Sequence, residues 1–319
     1  MCGIIGQMDK KIIAFTMSPK QSQFEVDRLA QEGKKLGVEV EKVNYRDLTF
    51  EVNNQKPRVY INSIERNGEN TLGCWFRVAG TKSGKYVEGR NMLIRLKQNE
   101  MFCVNAGSYL GWPRMGKISQ HAVFVEAGIP VVPTAIFYER SQVKSLKVES
   151  PKSFGEWDFP IITKHERGYQ GKSVRKLENW EEVEKWLNKI DEKNLGMFLW
   201  QKFLPGGWDL RVIVLDGKVL GAMKRTASGD EFRSNYSLGG AVEKWELSDE
   251  DTKLAEKVAK VCGLDYCGVD IMKSKKPESP KSEESVVLEV NRQCQFKGFE
   301  EATGINVARA VVDMIRKRG

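Results

Sequence analysis

The sequence has few of the residues and patterns from which many protein classes are built. Only two of its 319 residues are histidines, His121 and His165, and its six cysteines are scattered without Cys-x-x-Cys spacing. A zinc site is not expected, because such sites use closely spaced cysteines and histidines. No apolar run approaches the roughly 20 residues of a membrane-spanning helix, and no secretory signal pattern opens the chain. These absences predict a cytoplasmic protein without membrane association.

The charge balance is basic. Lysine and arginine number 51 against 43 aspartate and glutamate residues, which gives a net charge of +8 at pH 7. The lysines are interleaved with acidic residues, as on a solvated surface, and no DNA- or RNA-binding sequence pattern is present. DNA binding is therefore not expected. A basic balance suits an enzyme that acts on ATP and carboxylates, or one that binds an acidic protein partner.

Alternating strand and helix signals predict a mixed α/β protein. A strand over 10–16, a helix over 23–37 and a following strand indicate an open α/β domain in the first hundred residues. The glycine- and lysine-rich stretch 78–91 is expected to be a mobile loop. Other predicted elements are a helix before Gly128, strands over 159–164 and 196–204, and a helix over 179–190.

The last third of the chain begins with a predicted hairpin. Asp216 and Gly217 stand between two alternating strands, which is a strong hairpin signal. A helix is expected to start after Ser248 and to end at Gly263. The polar segment 272–285, with its two prolines, is predicted to be an exposed tip between two strands. A helix closes the chain.

Three oxygen-bearing side chains indicate a metal site. Asp270 lies in the strand-like run GVDIM, and Glu289 and Asn291 lie in VVLEVN. Residues i and i+2 of a strand point to the same face. If the two strands are neighbours, all three side chains converge. Magnesium takes oxygen ligands and binds beside nucleotide phosphates, so a metal–nucleotide site is predicted.

Charged residues near this set extend the prediction. Asp209 and Arg211 share one strand face, Arg225 lies on the partner strand, and Arg233 follows within FRSN (232–235). Guanidinium groups suit bidentate binding of a triphosphate or of a developing anionic centre. Ion pairing of Asp209 with Arg211 or a neighbour at the surface is the alternative interpretation.

A lysine at the end of a strand adds a second signal. Lys164 ends an apolar strand just before a loop, 166–174, that carries two glycines. Flexible glycine backbone next to a lysine is a phosphate-binding arrangement. The order of residues in a Walker loop is absent.

These residues, in this order, resemble the ATP-grasp superfamily, and in particular the RimK-type amino-acid ligases. The resemblance is close over about 104–319 and rests on long stretches such as RMGKISQHAVFVEAGIPVVPT, WQKFLPGGWDLRVIVLDGKVLGAMKR and LEVN…GFEEATGINVA. It implies an ATP-grasp fold that holds ATP between two antiparallel sheets. The implied domains are an N-terminal α/β (pre-ATP-grasp) domain over 1–103, a central domain with the lid over 104–204, and a C-terminal domain over 205–319.

The resemblance also implies roles for the matching residues. Lys117 and Lys164 would contact the ATP phosphates, the backbone of Lys202 and Phe203 would meet adenine, and Asp209 would bind the ribose. Arg233, Ser234 and Asn235 would line the nucleotide and substrate end, and Asp270, Glu289 and Asn291 would hold two magnesium ions, which manganese could replace.

The implied reaction is ATP-dependent ligation. A substrate carboxylate takes the γ-phosphoryl group to give an acyl phosphate and ADP, and an amine then attacks to form an amide and release phosphate. Arg211, Arg225 and Arg233 would act with the metal to neutralise charge on the transferred group. Gly168 and Gly171 would let the lid close and exclude water.

The implied substrates are glutamate, or a similar amino acid, and the carboxylate of a peptide, protein or small metabolite. A dimer or tetramer is typical of such enzymes, and the basic charge balance favours an acidic acceptor. Arg77 could bind a carboxylate or could lie on the surface. Close alternatives are a dipeptide ligase of the glutathione-synthetase or D-alanine–D-alanine kind and a peptide-crosslinking ATP-grasp enzyme.

The sequence departs from the family pattern in three places, one of which is the charged tip over 272–285, which is longer than usual and could dock a protein partner. Lys202 stands where relatives often carry a glutamate before the adenine-facing aromatic residue. After Asn291, the run RQCQFKG replaces the serine and proline that relatives commonly have. That run borders the acceptor site, so it leaves the acceptor open.

Two other classes of function are alternatives to ligation. The start MCGIIG resembles N-terminal-nucleophile glutamine amidotransferases, in which Cys2 would be the nucleophile. Such a domain needs about two hundred residues of its own architecture, and the ligase-like region begins near residue 104. The other alternative is a catalytically silent ATP-binding scaffold, against which the intact set of lysines, acids and Asn291 argues.

Overall fold

The computed structural model describes residues 10–53, 56–77, 84–113, 115–168, 173–228, 240–276 and 279–319, without the side chains of 275, 276 and 279–283. Among the residues described, no helix is long and apolar enough to cross a membrane.

The first part of the chain folds around a parallel sheet of strand order β2-β1-β6-β7. β1 has β2 on one side and β6 on the other, so the strand order reverses there. In open α/β sheets, such a reversal forms a crevice at the carboxyl ends of the strands. The elements are β1 (Lys11–Thr16), α1 (Phe24–Lys35), β2 (Val40–Asn44), β3 (Leu48–Glu51), β4 (Arg58–Ile61), β5 (Ile64–Glu65), β6 (Thr71–Phe76), α2 (Lys85–Lys97), β7 (Phe102–Cys103) and α3 (Ala106–Gly111). The small antiparallel sheet β3-β4-β5 was not anticipated from the sequence.

The prediction of a mobile loop over 78–91 is wrong for its second half, because α2 starts at Lys85. Residues 78–83 lie outside the described part of the chain. The inner face of α2 carries Leu93 and Ile94 at helical spacing from two buried cations, Arg90 and Lys97. Because charged residues occupy core-facing positions, the apolar periodicity that predicts a helix is interrupted.

The middle of the chain forms a four-stranded sheet of order β10-β9-β11-β8, in which all neighbours are antiparallel. Its core is aromatic: Trp200 is fully buried and stacks on Phe154 with ring centroids 5.1 Å apart. The amphipathic helix predicted over 179–190 packs Trp186 against the same core. The elements are α4 (Lys117–Glu126), β8 (Thr134–Ala135), α5 (Arg140–Glu149), β9 (Ile161–His165), β10 (Val174–Leu177), α6 (Trp180–Leu187) and β11 (Phe198–Lys202).

The last part of the chain forms a five-stranded antiparallel sheet of order β14-β13-β12-β15-β16. The turn at Asp216 and Gly217 has φ of 50° and 75°, as the hairpin signal predicts. Ser248 caps the following helix by accepting a hydrogen bond from the Asp251 amide, 3.1 Å away. The elements are β12 (Trp208–Leu215), β13 (Lys218–Thr226), β14 (Ala241–Trp245), α7 (Asp249–Val261), β15 (Tyr266–Lys276), β16 (Ser279–Asn291), α8 (Lys297–Thr303) and α9 (Val307–Arg318).

The prediction of an exposed tip over 272–285 is wrong in extent, because β15 and β16 continue through most of it as a paired hairpin. Lys273 lies opposite Ser285, and its ammonium group contacts Ser285 at 2.6 Å and the buried carboxylate of Asp251 at 2.8 Å. Polar residues can therefore pack here, because Asp251 of α7 accepts the hydrogen bonds of Lys273 and Ser285.

The C-terminal helix α9 returns to the first part of the chain. It buries Val311, Val312 and Ile315 in one core with Ile12 and Leu29. This core also contains residues of the five-stranded sheet, such as Ile213 and Tyr266. The parallel sheet and the five-stranded sheet are therefore held together by apolar contact.

Candidate active site

The structure brings Asp270, Glu289 and Asn291 together. β15 and β16 are neighbours, with Asp270 opposite Glu289 and Gly268 opposite Asn291. The Asn291 amide nitrogen lies 3.1 Å from Glu289 Oε1 and 3.5 Å from Asp270 Oδ2. Alternation along a strand therefore places the three side chains on one face, at the end of the hairpin where the chain leaves the sheet.

Two buried arginines of the neighbouring strands surround Asp270. Arg211 lies opposite it in the β12–β15 register and donates to both of its carboxylate oxygens, at 2.5 and 2.9 Å. Arg225 lies 3.2 Å from Asp270 Oδ2 and also donates to Asp209 at 2.6 Å. Burial by itself would raise the pKa of Asp270, but Arg211 and Arg225 outweigh it and hold that pKa below its usual range.

Asp209 is therefore buried within this ion-pair network and does not pair at the surface. Its pairing with Arg225 follows from the β12–β13 register, in which the two residues lie opposite each other. The ribose contact implied by the family resemblance stays a prediction.

The position of Arg211 depends on a glycine. A Cβ atom added at Gly268 would lie 2.8 Å from Arg211 Cδ and 2.8 Å from Cys294 Cβ. Real Cβ atoms do not approach other atoms so closely, so any larger residue at Gly268 would displace the arginine or the cysteine. The sequence gives no signal for this requirement, because it arises only when three segments meet.

Lys117 and Lys164 reach the same site from the middle of the chain. The Lys117 ammonium group lies 3.3 Å from Glu289 Oε2 and donates to the Gly168 carbonyl at 2.7 Å. Burial lowers the pKa of Lys164 to about 8, against the opposing effect of Glu289. Burial would raise the pKa of Glu289, but Lys117 is the leading influence that lowers it below its ordinary value.

A residue that the sequence does not single out, Glu166, ties the loop over 166–174, which is the predicted lid loop, to α4. Glu166 accepts a hydrogen bond from the Ile118 amide at 2.7 Å, at the N-terminus of α4. A Cβ atom at Gly116 would lie 1.6 Å from the Glu166 carboxylate, so a larger residue there would push the carboxylate out of this position. Only the fold reveals this pair, because 50 positions separate the two residues along the chain.

The proposed adenine-binding backbone lies at the end of β11. The Lys202 amide donates to the Pro133 carbonyl at 3.1 Å. Proline has no N–H group, so Pro133 cannot return the second hydrogen bond of an antiparallel pair to the Lys202 carbonyl. That carbonyl therefore has no backbone donor from this neighbour. The Phe203 ring lies 4.7 Å from the Lys176 ammonium group.

A buried histidine, His121, contacts β11 near the end at which Lys202 lies. His121 lies on α4, with Nδ1 2.9 Å from the Lys117 carbonyl and Nε2 2.9 Å from the side-chain nitrogen of Gln201. Burial lowers the pKa of His121 to about 4, so the ring is neutral near pH 7. The geometry assigns a proton to Nδ1 and leaves Nε2 as the acceptor. His121 therefore joins α4 to the residue that precedes Lys202.

Arg77 is buried and is not a surface residue. It follows β6 at the crevice of the parallel sheet, donates to the Gln293 carbonyl at 2.8 Å, and lies 3.4 Å from the Glu25 carboxylate. It thus contacts the run after Asn291 in which the sequence departs from the family pattern.

Several predicted residues lie outside the described part of the chain: Cys2, Gly171, Arg233, Ser234 and Asn235. Of the two lid glycines, Gly168 is described and accepts the Lys117 hydrogen bond.

The charges of the described site leave one cation in excess. Three carboxylates, of Asp209, Asp270 and Glu289, face four cations, Lys117, Lys164, Arg211 and Arg225. The described residues contain no cluster of three or more His, Cys, Asp or Glu side chains that would hold a metal by themselves. Two carboxylates and an amide can serve a hard cation when phosphate oxygens and water complete its coordination.

Comparison with known proteins identifies the family. A family model described as the RimK-like ATP-grasp domain matches residues 115–315. The chain belongs to the RimK-like ATP-grasp family. It is 28% identical to a probable alpha-L-glutamate ligase 2 of Pseudoalteromonas atlantica over 94% of both chains. It is 37% identical to a probable alpha-L-glutamate ligase of Shewanella halifaxensis over 161 residues, which are 50% of this chain and 33% of the relative. The chain thus matches about a third of the length of some curated relatives and nearly all of others.

Solved structures agree on the fold. The chain is similar to the ATP-grasp ligase PsnB complexed with minimal precursor, with a TM-score of 0.72 and 20% identity over 98% of this chain and 100% of PsnB. PsnB has also been solved with minimal precursor, Mg and ADP. The predicted RimK-type ATP-grasp family and the ATP-grasp fold are therefore confirmed. The individual residue roles and the boundaries of the three domains stay predictions.

Proposed function

We propose that this chain is an ATP- and magnesium-dependent carboxylate–amine ligase that works through an acyl phosphate. The observation that carries the proposal is the convergence of Asp270, Glu289 and Asn291 beside the Arg211–Asp270 ion pair. Membership of a family whose relatives are named glutamate ligases supports it. The excess positive charge of the site suits an anionic triphosphate.

Asp270, Glu289 and Asn291 would hold magnesium. A bound magnesium ion would neutralise phosphate charge and orient the oxygens of the γ-phosphoryl group. The amide nitrogen of Asn291 faces the two carboxylates, so its side chain would turn to offer the amide oxygen. Manganese, which also accepts oxygen ligands, is expected to replace magnesium.

The nucleotide would lie between the β9–β11 sheet and the five-stranded sheet. The Lys202 carbonyl, to which Pro133 cannot donate, and the backbone of Phe203 would meet adenine, and Asp209 is the proposed ribose ligand. Lys117 and Lys164 would bind phosphate oxygens, with Lys117 leaving the Gly168 carbonyl to do so. Because Gly168 belongs to the lid loop, phosphate binding and movement of that loop would be coupled.

In the first step, an oxygen of the substrate carboxylate would attack the γ-phosphorus, and the bond from phosphorus to the β–γ bridging oxygen would break. The products are an acyl phosphate and ADP. Arg211 and Arg225 would stabilise the charge on the transferred group, with Arg233 as a third proposed cation. An amine would then attack the acyl carbon, lose a proton and expel phosphate.

The proposed amine substrate is glutamate or a similar amino acid, because the relatives are named alpha-L-glutamate ligases. The proposed acceptor is the carboxylate of an acidic peptide or protein. PsnB, whose fold is similar, was solved with a minimal precursor, and a RiPP-associated ATP-grasp ligase from Chryseobacterium gregarium was solved with a leader and core peptide. A homodimer or homotetramer is proposed for the assembly.

An ADP-release screen tests the proposal. The protein would be supplied with magnesium-ATP, each of the twenty amino acids, and acidic peptides or small carboxylic acids as acceptors. We expect ADP release that needs both substrates, and a product whose mass exceeds the acceptor by one or more amino-acid residues. Loss of this activity in Asp270→Asn, with ATP binding measured separately, would support the metal site. Equal ADP release in Asp270→Asn would rule out the assignment.

A further inference from the structure

Two guanidinium groups stack on one buried tyrosine ring beside the proposed acceptor site. The Arg90 guanidinium carbon lies 3.7 Å from the centroid of the Tyr109 ring, and that of Arg292 lies 4.6 Å from it. Arg90 and Tyr109 are 3% and 1% exposed. We call Arg90, Tyr109 and Arg292 the arginine cluster.

Neither arginine of the cluster has an acidic partner among the described residues. Arg90 donates from Nε and one terminal nitrogen to a single neutral acceptor, Asn91 Oδ1, at 3.2 and 3.1 Å. Its other terminal nitrogen forms no hydrogen bond within the part of the chain that is described. Arg292 donates instead to the carbonyls of Ser108, Trp112 and Pro113.

A buried cation, Arg90, beside a half-buried one, Arg292, is costly when no described carboxylate offsets them, because burial removes water and the like charges repel each other. Burial lowers the pKa of Arg292 to about 10, and Arg90 contributes to the lowering. Arginine stays charged at neutral pH even so, and the cluster therefore keeps its two positive charges. Elsewhere in the site, Arg211, Arg225 and Arg77 each contact a carboxylate. Within the described part of the chain, an anion is the component that the cluster lacks.

The position of the cluster indicates which anion. Arg292 directly follows Asn291 in the chain, and the side chain of the next residue, Gln293, donates to the Tyr109 hydroxyl at 2.8 Å. The carbonyl of Gln293 accepts from Arg77, which follows β6 at the crevice of the parallel sheet. The cluster therefore lies between the proposed metal ligands and this crevice, where a substrate would approach the nucleotide.

We propose that Arg90 and the Tyr109 hydroxyl bind a substrate carboxylate other than the one that is phosphorylated. The proposal rests on the proposed ligase function. The Tyr109 hydroxyl accepts from Gln293, and among the described residues neither its own proton nor one terminal nitrogen of Arg90 has an acceptor. Together they would offer two hydrogen-bond donors to one carboxylate. The substrate is then a molecule with at least two carboxylates, either free glutamate or an acidic peptide.

Calorimetric titration tests the proposal without turnover. The ligands are L-glutamate and a tri-glutamate peptide, with L-glutamine and tri-glutamine as neutral counterparts. The test variants are Arg90→Met, which keeps an apolar stem against Tyr109, and Tyr109→Phe, which keeps the ring. Arg95→Met is the matched control, because Arg95 is exposed on the same helix. ATP affinity is measured in every variant to show that the fold is retained.

We expect the wild type to bind one of the two acidic ligands, and we expect Arg90→Met to weaken that binding about tenfold or more. Tyr109→Phe should weaken it by less, and Arg95→Met should not change it. The neutral ligands should bind the wild type and Arg90→Met equally weakly. A purely structural role of Arg90 does not predict a loss that is confined to the acidic ligand. The acidic ligand whose affinity falls in Arg90→Met shows where the carboxylate comes from. It is the free amino acid if the ligand is glutamate, and the peptide if the ligand is tri-glutamate.

Two results would overturn the proposal: saturable binding of neither acidic ligand by the wild type, or equal acidic-ligand affinity in the wild type, Arg90→Met and Tyr109→Phe. If Arg90→Met fails to fold, Tyr109→Phe alone decides. Failure of the ligase function would look different. In that case Arg90-dependent binding of the acidic ligand persists, while no combination of substrates releases ADP.

Discussion

Arg211 holds both carboxylate oxygens of Asp270, with Nε 2.5 Å from Oδ1 and a terminal nitrogen 2.9 Å from Oδ2. The β12–β15 register places the two residues opposite each other, so the pair is set by the sheet and not by a flexible loop. A carboxylate fixed in this way can present a constant geometry to a metal ion. This pair links the cation that would face the phosphoryl group to the acid that would bind magnesium.

Arg211→Lys should reduce turnover strongly while leaving the protein folded. Lysine keeps the positive charge but cannot bind both carboxylate oxygens in a planar fork. Loss of a preorganised charge contact typically costs about 100-fold or more in turnover. The measurement is ADP release at saturating substrates. Arg309→Lys, at an exposed position of α9, is the control and should be neutral. Activity of Arg211→Lys within twofold of the wild type would contradict this role.

Gly268→Ala should impair the site through Arg211. The added methyl group would lie 2.8 Å from Arg211 Cδ and 2.8 Å from Cys294 Cβ, so one of them must move. We expect a lower melting temperature and lower turnover, with partial recovery when Cys294→Gly removes one of the two obstructions. Gly89→Ala is the control, because nothing lies within 4 Å of a Cβ atom there and alanine favours a helix. A Gly268→Ala protein with unchanged turnover would show that Arg211 need not be so placed.

Acid should destabilise the protein through His121. Burial lowers the pKa of His121 to about 4 in the folded state, whereas an unfolded histidine titrates near 6.5. The unfolded state therefore binds more protons below pH 6.5, so stability falls from about pH 6.5 down to about pH 4. Protonation of His121 alone lowers the free energy of unfolding by an amount that approaches about 3 kcal/mol.

Urea unfolding of the wild type and of His121→Gln between pH 7.5 and 4.5 measures this effect. Glutamine can keep a hydrogen bond to Gln201 but does not titrate. The free energy of unfolding of His121→Gln should therefore fall less steeply with decreasing pH. Parallel pH profiles for the two proteins would show that His121 does not contribute.

Glu289→Gln should raise the magnesium concentration needed for activity. The substitution removes one of the two carboxylates of the proposed metal site and leaves Lys117 without the partner that lies 3.3 Å away. Loss of an anionic oxygen ligand weakens a hard-cation site, and we expect at least a tenfold higher half-saturating magnesium concentration. Titration of ADP release with magnesium at fixed ATP measures it. Glu301→Gln, on α8, serves as the control. An unchanged magnesium requirement would exclude Glu289 as a ligand.

The sequence was informative about the site where local rules apply. Alternation along a strand predicts that Glu289 and Asn291 share a face, and the hairpin turn at Asp216–Gly217 places Asp209 and Arg225 on paired strands. Contacts between distant segments could not be read in this way. Gly268, Glu166 and His121 matter because of residues far away in the chain, and a single sequence carries no sign of such proximity.

The errors in the fold prediction have a common physical cause. Arg90 and Lys97 occupy inward positions of α2, and Lys273 packs on a buried Asp251 in the β15–β16 hairpin. Hydrophobic patterns predict elements whose inner faces are apolar. Where buried charges replace apolar residues, the same patterns suggest a loop.

Oxygen-18 transfer tests the central claim most directly. The acceptor identified by the ADP-release screen would be labelled with oxygen-18 in its carboxylate, and the released phosphate would be analysed by mass spectrometry after complete turnover. If the reaction passes through an acyl phosphate, each phosphate carries one labelled oxygen from the carboxylate, and the Arg211→Lys protein transfers label more slowly. Phosphate without label would show that the carboxylate is never phosphorylated and would contradict the account.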